Sequence, residues 1–325
     1  MQMISGIGKW MFCLSMVAVT PFPSAESLHA QDFPTKPINL VIPYGAGGAS
    51  DLSARAFINT STKYLGQPII IQIKPGGGGA IGSEMVAQAK PDGYTLLMGH
   101  TNCNTVLPAV EGRSKGPDDL AAVCMVGQSD SVYWVLSSSP FKTIKDVITW
   151  AKANPGKLSF GNAGAWGVTD FGWRWLEMKT GIKTRNTAFT GGAEALVALL
   201  GGHIQVTRLS LPQTLPHMRA GTVRAIATAG LERHPDLPKV PSMKEEGYDL
   251  GLEGSWKGIL APKATPKPII NKLAAGFKKM MAEKPAIAAL NQLGDTFNDL
   301  GPDEFEKHWR TEYKIYAELG KMFKK

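Results

Sequence analysis

Three glycine-rich turns contain the residues best suited to bind a ligand, and each lies between an apolar segment and an amphipathic one. They occupy residues 44–51, 74–79 and 161–167. Glycine lets backbone N–H groups approach a ligand closely, and a helix that begins after such a turn presents its positive end to negative charge. The turns therefore predict carboxylate binding without covalent chemistry, and 44–51 is the strongest candidate. For any one turn taken alone, tight strand-to-helix geometry is the simpler explanation.

No catalytic or metal-binding motif accompanies these turns in the sequence. Cys103 and Cys124 lie far apart and no histidine pair flanks them, which excludes zinc-type spacing. The patterns His-Glu-x-x-His, Gly-x-Ser-x-Gly and Gly-x-x-x-x-Gly-Lys-Ser/Thr do not occur. Gly77-x-Gly79-x-x-Gly82 fits a dinucleotide pattern loosely, but no clear acidic residue ends a strand about twenty positions later. We therefore expect no metal, no cofactor and no enzymatic activity, with nucleotide binding and a secreted hydrolase as weaker alternatives.

The composition is that of a folded protein with a modest positive charge. Of 325 residues, 43% are hydrophobic and 19% charged, which excludes a disordered chain. Lys and Arg number 35 against 27 Asp and Glu, for a formal charge of +8. The basic residues are scattered among acids, so nucleic acid is not expected as a partner. The charge aids attraction of an anionic ligand only weakly at physiological salt.

The N-terminal segment has the pattern of a secretory signal peptide. Lys9 precedes an apolar stretch at residues 10–19, and cleavage after Ala30 would remove residues 1–30. That stretch is too short to span a bilayer, which needs about twenty residues. We therefore expect a mature protein in the periplasm, with an amphipathic or buried N-terminal helix as the alternative. Export permits a disulfide between Cys103 and Cys124, although two free buried thiols are at least as compatible.

Strands and helices alternate between the glycine turns. Strands are predicted at 38–43, 69–73, 94–98, 132–136, 223–228 and 256–260, and helices from Ser50 or Asp51 as cap to about 65, then at 81–89, 143–153, 169–179, 193–200, 268–282 and 303–322. The order strand, glycine turn, helix, strand is typical of a parallel sheet. Such sheets place ligand sites beyond the carboxyl ends of their strands, where the glycine turns lie.

A series of short motifs runs along nearly all of the mature chain. They are FPTKPI (33–38), IPYGAGG (42–48), KPGGGG (74–79), PDGYTL (91–96), LLGG (199–202), AGTVRA (220–225), WKG (256–258) and APKATP (261–266). In this order they resemble the Bug family, the periplasmic solute-binding receptors of tripartite tricarboxylate transporters. Each motif is weak alone, but the ordered set is specific.

The resemblance implies an α/β, two-lobed periplasmic binding protein of type II-like architecture, with the ligand cleft between the lobes. Lobe 1 would comprise 31–132 plus 253–325, and lobe 2 would comprise 133–252. The lobes would close by hinge motion on a small organic carboxylate. Carried over by position, the ligand-binding residues are Tyr44, Gly45, Ala46, Gly47, Gly48, Asp51, Gly78, Gly79, His100, Thr101, Asn102, Ala163, Gly164, Trp166, Thr169, Phe189, Thr190, Gly191 and Arg208. Asp51 suits a helix N-cap equally well.

The second-lobe turn departs from the pattern of similar proteins, which carry Gly-x-Gly-Ser/Thr-x-x-His there. Here Trp166 replaces a glycine, Gly167 a hydroxyl residue and Asp170 the histidine. We therefore hypothesise an aromatic or otherwise apolar carboxylate, with Trp166 beside its body and Arg208 near an acid group. The alternatives are that Arg208 is a surface or hinge ion-pair residue and that the later residues Trp173 and Trp175 serve packing.

The resemblance also implies the partners of the protein. A receptor of this kind delivers its ligand to the membrane permease of the transporter, and we expect it to be a monomer. A different class of function uses the same cleft: the closed lobes could present the ligand to the periplasmic domain of a sensor kinase.

Overall fold

The computed structural model describes residues 33–189, 191–230, 232–250 and 254–323. The predicted signal peptide, residues 1–30, and the candidate site residue Thr190 lie outside these ranges. Within them, no helix is long and apolar enough to cross a bilayer.

From Pro34 onward the described chain folds into two five-stranded sheets. Their strands are β1 (Ile38–Ile42), β2 (Ile69–Ile73), β3 (Thr95–His100), β4 (Leu120–Ser129), β5 (Ser131–Leu136), β6 (Leu158–Asn162), β7 (Thr184–Ala188), β8 (Val206–Ser210), β9 (Val223–Thr228) and β10 (Ser255–Pro262). The first sheet has the order β2-β1-β3-β10-β4, and the second has the order β7-β6-β8-β5-β9. In each sheet three neighbouring strands are parallel and the other two strands make antiparallel pairs. This is the two-lobed α/β architecture expected from the sequence.

Helices cover both sheets. They are α1 (Ala49–Arg55), α2 (Ser61–Leu65), α3 (Ala80–Ala87), α4 (Ile144–Ala153), α5 (Val168–Thr180), α6 (Gly192–Leu200), α7 (Leu211–Arg219), α8 (Lys267–Met281), α9 (Lys284–Gln292) and α10 (Pro302–Phe323). A π-helix, Asn102–Glu111, follows β3 and was not predicted.

The first helix differs from the prediction in its cap and in its length. Gly48, with extended φ and ψ of −74° and 167°, is the N-cap, so the prediction that Ser50 or Asp51 caps the helix is wrong. Asp51 lies in the first turn instead. The helix also ends at Arg55, because Phe57 leaves the helical region at φ −128°. The side chain of Phe57 is fully buried and meets the Phe277 ring edge-on, with ring centroids 6.0 Å apart.

Aromatic side chains fill the cores beneath both sheets. In the first, Trp256 of β10 meets Phe305 and Trp309 of α10 with ring centroids 5.0 and 5.7 Å apart. In the second, Trp173 of α5 stacks on Phe160 with centroids 4.0 Å apart and planes nearly parallel. Trp175 is also buried. Trp173 and Trp175 therefore lie in the core, in agreement with the alternative that they serve packing.

Candidate ligand-binding site

The glycine turns follow the carboxyl ends of parallel strands in both sheets. The turn at 43–48 follows β1, and the turn at 163–167 follows β6. In each case a helix begins immediately afterwards, α1 at Ala49 and α5 at Val168. The first N–H groups of a helix have no partner within the helix, so both turns present donors suited to a carboxylate.

The turn before α1 is held by one buried carboxylate. Gly48 N–H donates to Gly45 O at 3.2 Å, and Gly47 N–H donates to Asp51 Oδ2 at 2.8 Å. Arg55 Nε donates to Asp51 Oδ1 at 2.9 Å. Burial acts to raise the pKa of Asp51, but the Gly47 N–H and the Arg55 guanidinium outweigh it and hold the pKa below its ordinary value. Asp51 is therefore an ionised brace of the turn.

The turn before α5 repeats this arrangement. Gly167 N–H donates to Gly164 O at 3.1 Å, and Trp166 N–H donates to Asp170 Oδ2 at 2.8 Å. Arg174 Nε donates to the same Asp170 oxygen at 3.0 Å. Trp166 has φ +58°, as Gly47 has φ +73° at the matching place. The two sheets therefore present two copies of one turn, each with helix N–H donors suited to an anion.

The repetition is visible in the sequence, and the sequence analysis missed it. Residues 45–55 and 164–174 both read Gly-Ala-x-Gly-x-Ser/Thr-Asp-x-x-x-Arg. Asp170 had been interpreted only as a departure from the pattern of similar proteins. The structure shows that it is the counterpart of Asp51. Comparing the chain with itself at a fixed offset would have found this second brace.

Hydroxyl and amide side chains brace the second turn further. Ala163 N–H donates to Thr169 Oγ1 at 3.1 Å, and Gly164 N–H donates to Asn162 Oδ1 at 2.9 Å. Asn162 in turn donates to Asn186 Oδ1 at 2.8 Å. The candidates Ala163, Gly164 and Thr169 therefore form one connected turn, whose backbone geometry is fixed before a ligand arrives.

Tyr44 and its neighbours line the first-sheet side of the site. A Cβ at Gly79 (φ +99°) would lie 2.7 Å from Cys103 Cβ and 3.3 Å from Tyr44 Cζ, so only glycine fits there. A Cβ at Gly78 (φ +69°) would meet a Leu107 methyl group at 3.2 Å. The Tyr44 ring meets His100 edge-on, with centroids 5.7 Å apart.

The two sheets come together at Asn102. A Cβ on Gly167 would lie 3.6 Å from Asn102 Oδ1, which places the second turn directly against the residue that begins the π-helix. The Asn102 Oδ1 and Tyr44 hydroxyl atoms are buried, and the Tyr44 hydroxyl lies beside the side chains of Asn102 and Cys103. Polar atoms of this kind are suited to receive a ligand or a bridging water.

His100 is held as a neutral ring. Its Nδ1 accepts the Asn102 N–H at 3.1 Å, so the neutral ring carries its proton on Nε2. Burial lowers the pKa of His100 to about 4, with the Lys257 charge adding to the effect. Thr101 is buried, and its Oγ1 accepts the Trp256 N–H at 2.7 Å. Of these two candidates, His100 is the one whose side chain has an N–H group, at Nε2, that can donate to a ligand.

The remaining second-sheet candidates are spread over different surroundings. The Trp166 ring is half-buried, with the Arg174 guanidinium 4.7 Å from its centroid and Phe171 5.8 Å away. Phe189 N–H donates to Asn162 O at 3.0 Å. Gly191 is the N-cap of α6, at the carboxyl end of β7. Contact of Trp166, Phe189 and Gly191 with a ligand stays a prediction.

Arg208 lies beneath the site rather than on its surface. It is 3% exposed, its Nε donates to Ser131 Oγ at 2.5 Å and its Nη1 donates to Val168 O at 3.3 Å. Within the described ranges, no acidic side chain pairs with it. The surface and ion-pair alternatives from the sequence therefore do not describe it. Its guanidinium supports the first turn of α5 from below.

A buried ion pair near the first turn was not anticipated. Lys257 Nζ lies 2.5 and 2.6 Å from the two Asp295 oxygens, and Ser53 Oγ of α1 donates to the same carboxylate at 2.6 Å. Ser129, the last residue of β4, also donates to it. These four residues join α1 to the first sheet where the chain leaves it for the second.

A cavity of about 600 Å³ lies between α7 and the residues around the end of α9. Its lining includes Leu211, Pro212 and Arg219 of α7 and the segment 291–296. That volume is in the range of small-molecule pockets.

No cluster of three metal-ligating side chains occurs in the part of the chain that the structure describes. Cys103 and Cys124 are free and buried, and burial raises the pKa of Cys103 to about 11.

Comparisons with known proteins agree with this architecture. The family described as "Tripartite tricarboxylate transporter family receptor" matches residues 53–301. Protein BugT of Bordetella pertussis is 30% identical over 287 residues, which are 86% of this chain and 87% of that protein.

Two solved structures give the same result. A TctC solute-binding protein from Polaromonas superposes with a TM-score of 0.78 at 29% identity, over 88% of this chain and 98% of that one. MatC from Rhodopseudomonas palustris, solved with bound malate, superposes with a TM-score of 0.75 at 27% identity, over 89% of this chain and all of that one. The matching family is described as a receptor family, and the Polaromonas protein is described as a solute-binding protein.

Proposed function

Because the chain belongs to the receptor family of tripartite tricarboxylate transporters, we propose that it captures a small organic carboxylate in the periplasm and delivers it to the permease of such a transporter. The observation that carries the proposal is the pair of matching turns at 45–55 and 164–174. Each ends in a helix N-terminus, and each is braced by its own aspartate and arginine. A carboxylate between them would receive N–H donors from both sheets.

Lobe closure gives such a receptor its signal for delivery. We assign residues 31–132 and 253–325 to lobe 1, and residues 133–252 to lobe 2. The strands support the assignment to within two residues, since the chain passes from the first sheet to the second between β4 and β5, which begins at Ser131, and returns before β10. Two crossings of this kind allow a hinge motion that brings the two turns together on the ligand.

For the ligand we propose a carboxylate with an aromatic or otherwise apolar body, in contact with Trp166. The support is that Trp166 extends a half-buried ring from the second turn, where the first turn has Gly47. A planar ligand that stacks on this ring would gain about 0.5–1.5 kcal/mol beyond the burial of its area. The bound malate of MatC shows only that a receptor of this fold accepts a small dicarboxylate.

A thermal-shift screen of residues 31–325 tests the proposal. The panel contains malate, citrate, aliphatic dicarboxylates, amino acids, benzoate and aromatic dicarboxylates, each with its amide as a neutral control. A ligand present at about 100 times its Kd should stabilise the protein by about 2.7 kcal/mol. We expect shifts with carboxylates and none with the amides. Failure of every carboxylate at millimolar concentration would contradict the proposed function.

A Trp166→Ala variant tests the aromatic contact separately. We expect it to bind aromatic acids up to about tenfold more weakly, as loss of up to 1.4 kcal/mol of stacking implies, and to bind aliphatic acids as before. Equal affinity of the variant and the wild type for every acid would remove the aromatic contact and leave carboxylate capture intact.

Export is tested on the full-length chain in its host. We expect the protein in the periplasmic fraction, with a mature N-terminus at Gln31. Recovery from the cytoplasm with residues 1–30 still attached would contradict the proposed location.

A further inference from the structure

Two cationic side chains among the candidate-site elements are buried, and they differ in whether a carboxylate contacts them. Lys257 is 3% exposed and has the Asp295 carboxylate within 2.6 Å. Arg208 is equally buried, but within the described ranges no carboxylate lies within 4.0 Å of it. A buried charge is strongly unfavourable unless it is paired. The Arg208 guanidinium therefore has no carboxylate in direct contact among the described residues, and its charge is balanced either by a more distant carboxylate or by a bound anion.

The neighbours of Arg208 satisfy only part of its hydrogen-bonding capacity. A guanidinium has five N–H donors. Nε donates to Ser131 Oγ, and Nη1 donates to Val168 O. Burial raises the pKa of Tyr133, so its hydroxyl keeps its proton, and that hydroxyl also accepts a hydrogen bond from the Arg208 guanidinium. Ser131, Val168 and Tyr133 thus account for three of the five donors.

A small cavity lies directly beside this guanidinium. Its volume is about 20 Å³, and it is lined by Tyr133, Gly172, Trp175, Arg208, Ala229, Met243, Tyr248 and Leu250. Gly172 keeps the space open, since a Cβ there would lie 2.2 Å from Arg208 Nη1. A cavity that exceeds roughly 10–15 Å³ can hold a water molecule. Chloride is only slightly larger than water, whereas an organic carboxylate of the proposed ligand class is too large.

We propose that Arg208 and this cavity form a binding site for a small inorganic anion such as chloride. The site lies between the second sheet, α5 and the segment 243–250, apart from the two anion-binding turns. The bound anion pairs with the guanidinium and accepts hydrogen bonds from it. The inference does not depend on the proposed function, because it rests on the buried charge and its cavity.

The competing source of negative charge is Glu312 of α10. Glu312 raises and Arg208 lowers the pKa of Tyr316, so both charges act on the same hydroxyl. Glu312 is itself buried, and one of its carboxylate oxygens lies 3.7 Å from His308 Nε2. If Glu312 alone balances Arg208, the cavity holds only water, and the experiment below distinguishes the two cases.

Bromide replaces chloride in the decisive experiment, because its anomalous scattering locates it. Crystals of the wild-type protein soaked in sodium bromide are expected to show an anomalous peak in the cavity, within hydrogen-bonding distance of Arg208. Bromide found only at the protein surface, with water in the cavity, would overturn the proposal. This measurement needs no variant and therefore does not depend on whether a variant folds.

Thermal unfolding gives a second readout in solution. The Tm of the wild type should rise by about 2 °C for each tenfold increase in chloride above its Kd, compared with the bulkier methanesulfonate at equal ionic strength. Arg208→Met should abolish the difference. Arg310→Met is the matched control, since that arginine pairs with Asp118 and Glu306 outside the proposed ligand site, and it should keep the difference. Equal Tm of the wild type in both salts across the chloride range would contradict the site.

Discussion

Asp51 and Asp170 each fix the turn that precedes them through one backbone N–H and one arginine. Their contacts agree to within 0.1 Å: the turn N–H lies 2.8 Å away in both, and the arginine Nε lies 2.9 and 3.0 Å away. The two turns differ at one place, where Trp166 adopts the left-handed conformation that Gly47 adopts in the other. Such a conformation is strained for a residue with a side chain, so the ring must be compensated by its contacts.

The strain at Trp166 predicts an order of stabilities. Trp166→Ala and Trp166→Gly both lose the ring, but only glycine relieves the positive φ, so the glycine variant should be more stable than the alanine variant by about 1 kcal/mol. Gly47→Ala, where a Cβ meets no atom within 4 Å, should lose about the same amount for the same reason. Urea denaturation measures all three variants. Equal stabilities of the two Trp166 variants would show that the turn is not strained.

The Asp51 brace predicts a dependence of stability on pH. Its folded pKa lies below its unfolded value, so its contribution is complete above the unfolded pKa and is lost as the pH falls through the folded pKa. Asp51→Asn should therefore cost about 1–2 kcal/mol at pH 7. The difference from the wild type should shrink below about pH 4. A difference that stays constant from pH 7 to pH 3 would contradict the ionised brace.

At the scale of elements, α1 is anchored to the first sheet through the buried Lys257–Asp295 pair. Ser53 of α1 and Ser129 of β4 both donate to Asp295, and Lys257 is the third residue of β10. Since β4 and β10 are the strands at which the chain crosses between the sheets, this network ties α1 and the turn before it to the crossing point. In the proposed hinge motion, the network would hold α1 in position.

The buried pair predicts non-additive effects of substitution. Lys257→Met leaves a buried carboxylate and Asp295→Asn leaves a buried ammonium, so each should cost about 3–5 kcal/mol. The double variant leaves neither charge and should cost clearly less than the sum of the two. Denaturation of the four proteins in a double-mutant cycle measures the coupling. Additive losses would show that the two charges do not stabilise one another.

Local patterns in the sequence predict the strands and turns of this site, but not the side-chain contacts between distant residues. Short apolar runs ended by glycine gave β1, β2 and the turns after them, because burial and positive φ leave a clear local signal. The N-cap was mistaken for Ser50 or Asp51, since a side-chain cap and a first-turn carboxylate look alike in sequence. The contact between Lys257 and Asp295 joins residues 38 positions apart and has no local signature. The close approach of Arg208 to Gly172 also has no local signature, because the two residues belong to different elements, β8 and α5.

At the scale of the whole molecule, two sheets present the same turn, and in the proposed function both turns contact one ligand. The first contributes Gly47 and Asp51, and the second contributes Trp166 and Asp170. The meeting of Gly167 with Asn102 brings the two sides within contact distance. A carboxylate held between helix N-termini from both sheets favours the closed arrangement, because only that arrangement supplies donors from both sides. In the proposed function, ligand capture and lobe closure would then be one event.

A crystal structure of the protein with the carboxylate that gives the largest thermal shift tests this account most directly. We predict that one carboxylate group is held, directly or through single waters, by backbone N–H groups of both 45–50 and 164–169. The body of the ligand should lie against Trp166. A carboxylate bound by one turn alone, or placed away from both, would contradict the account.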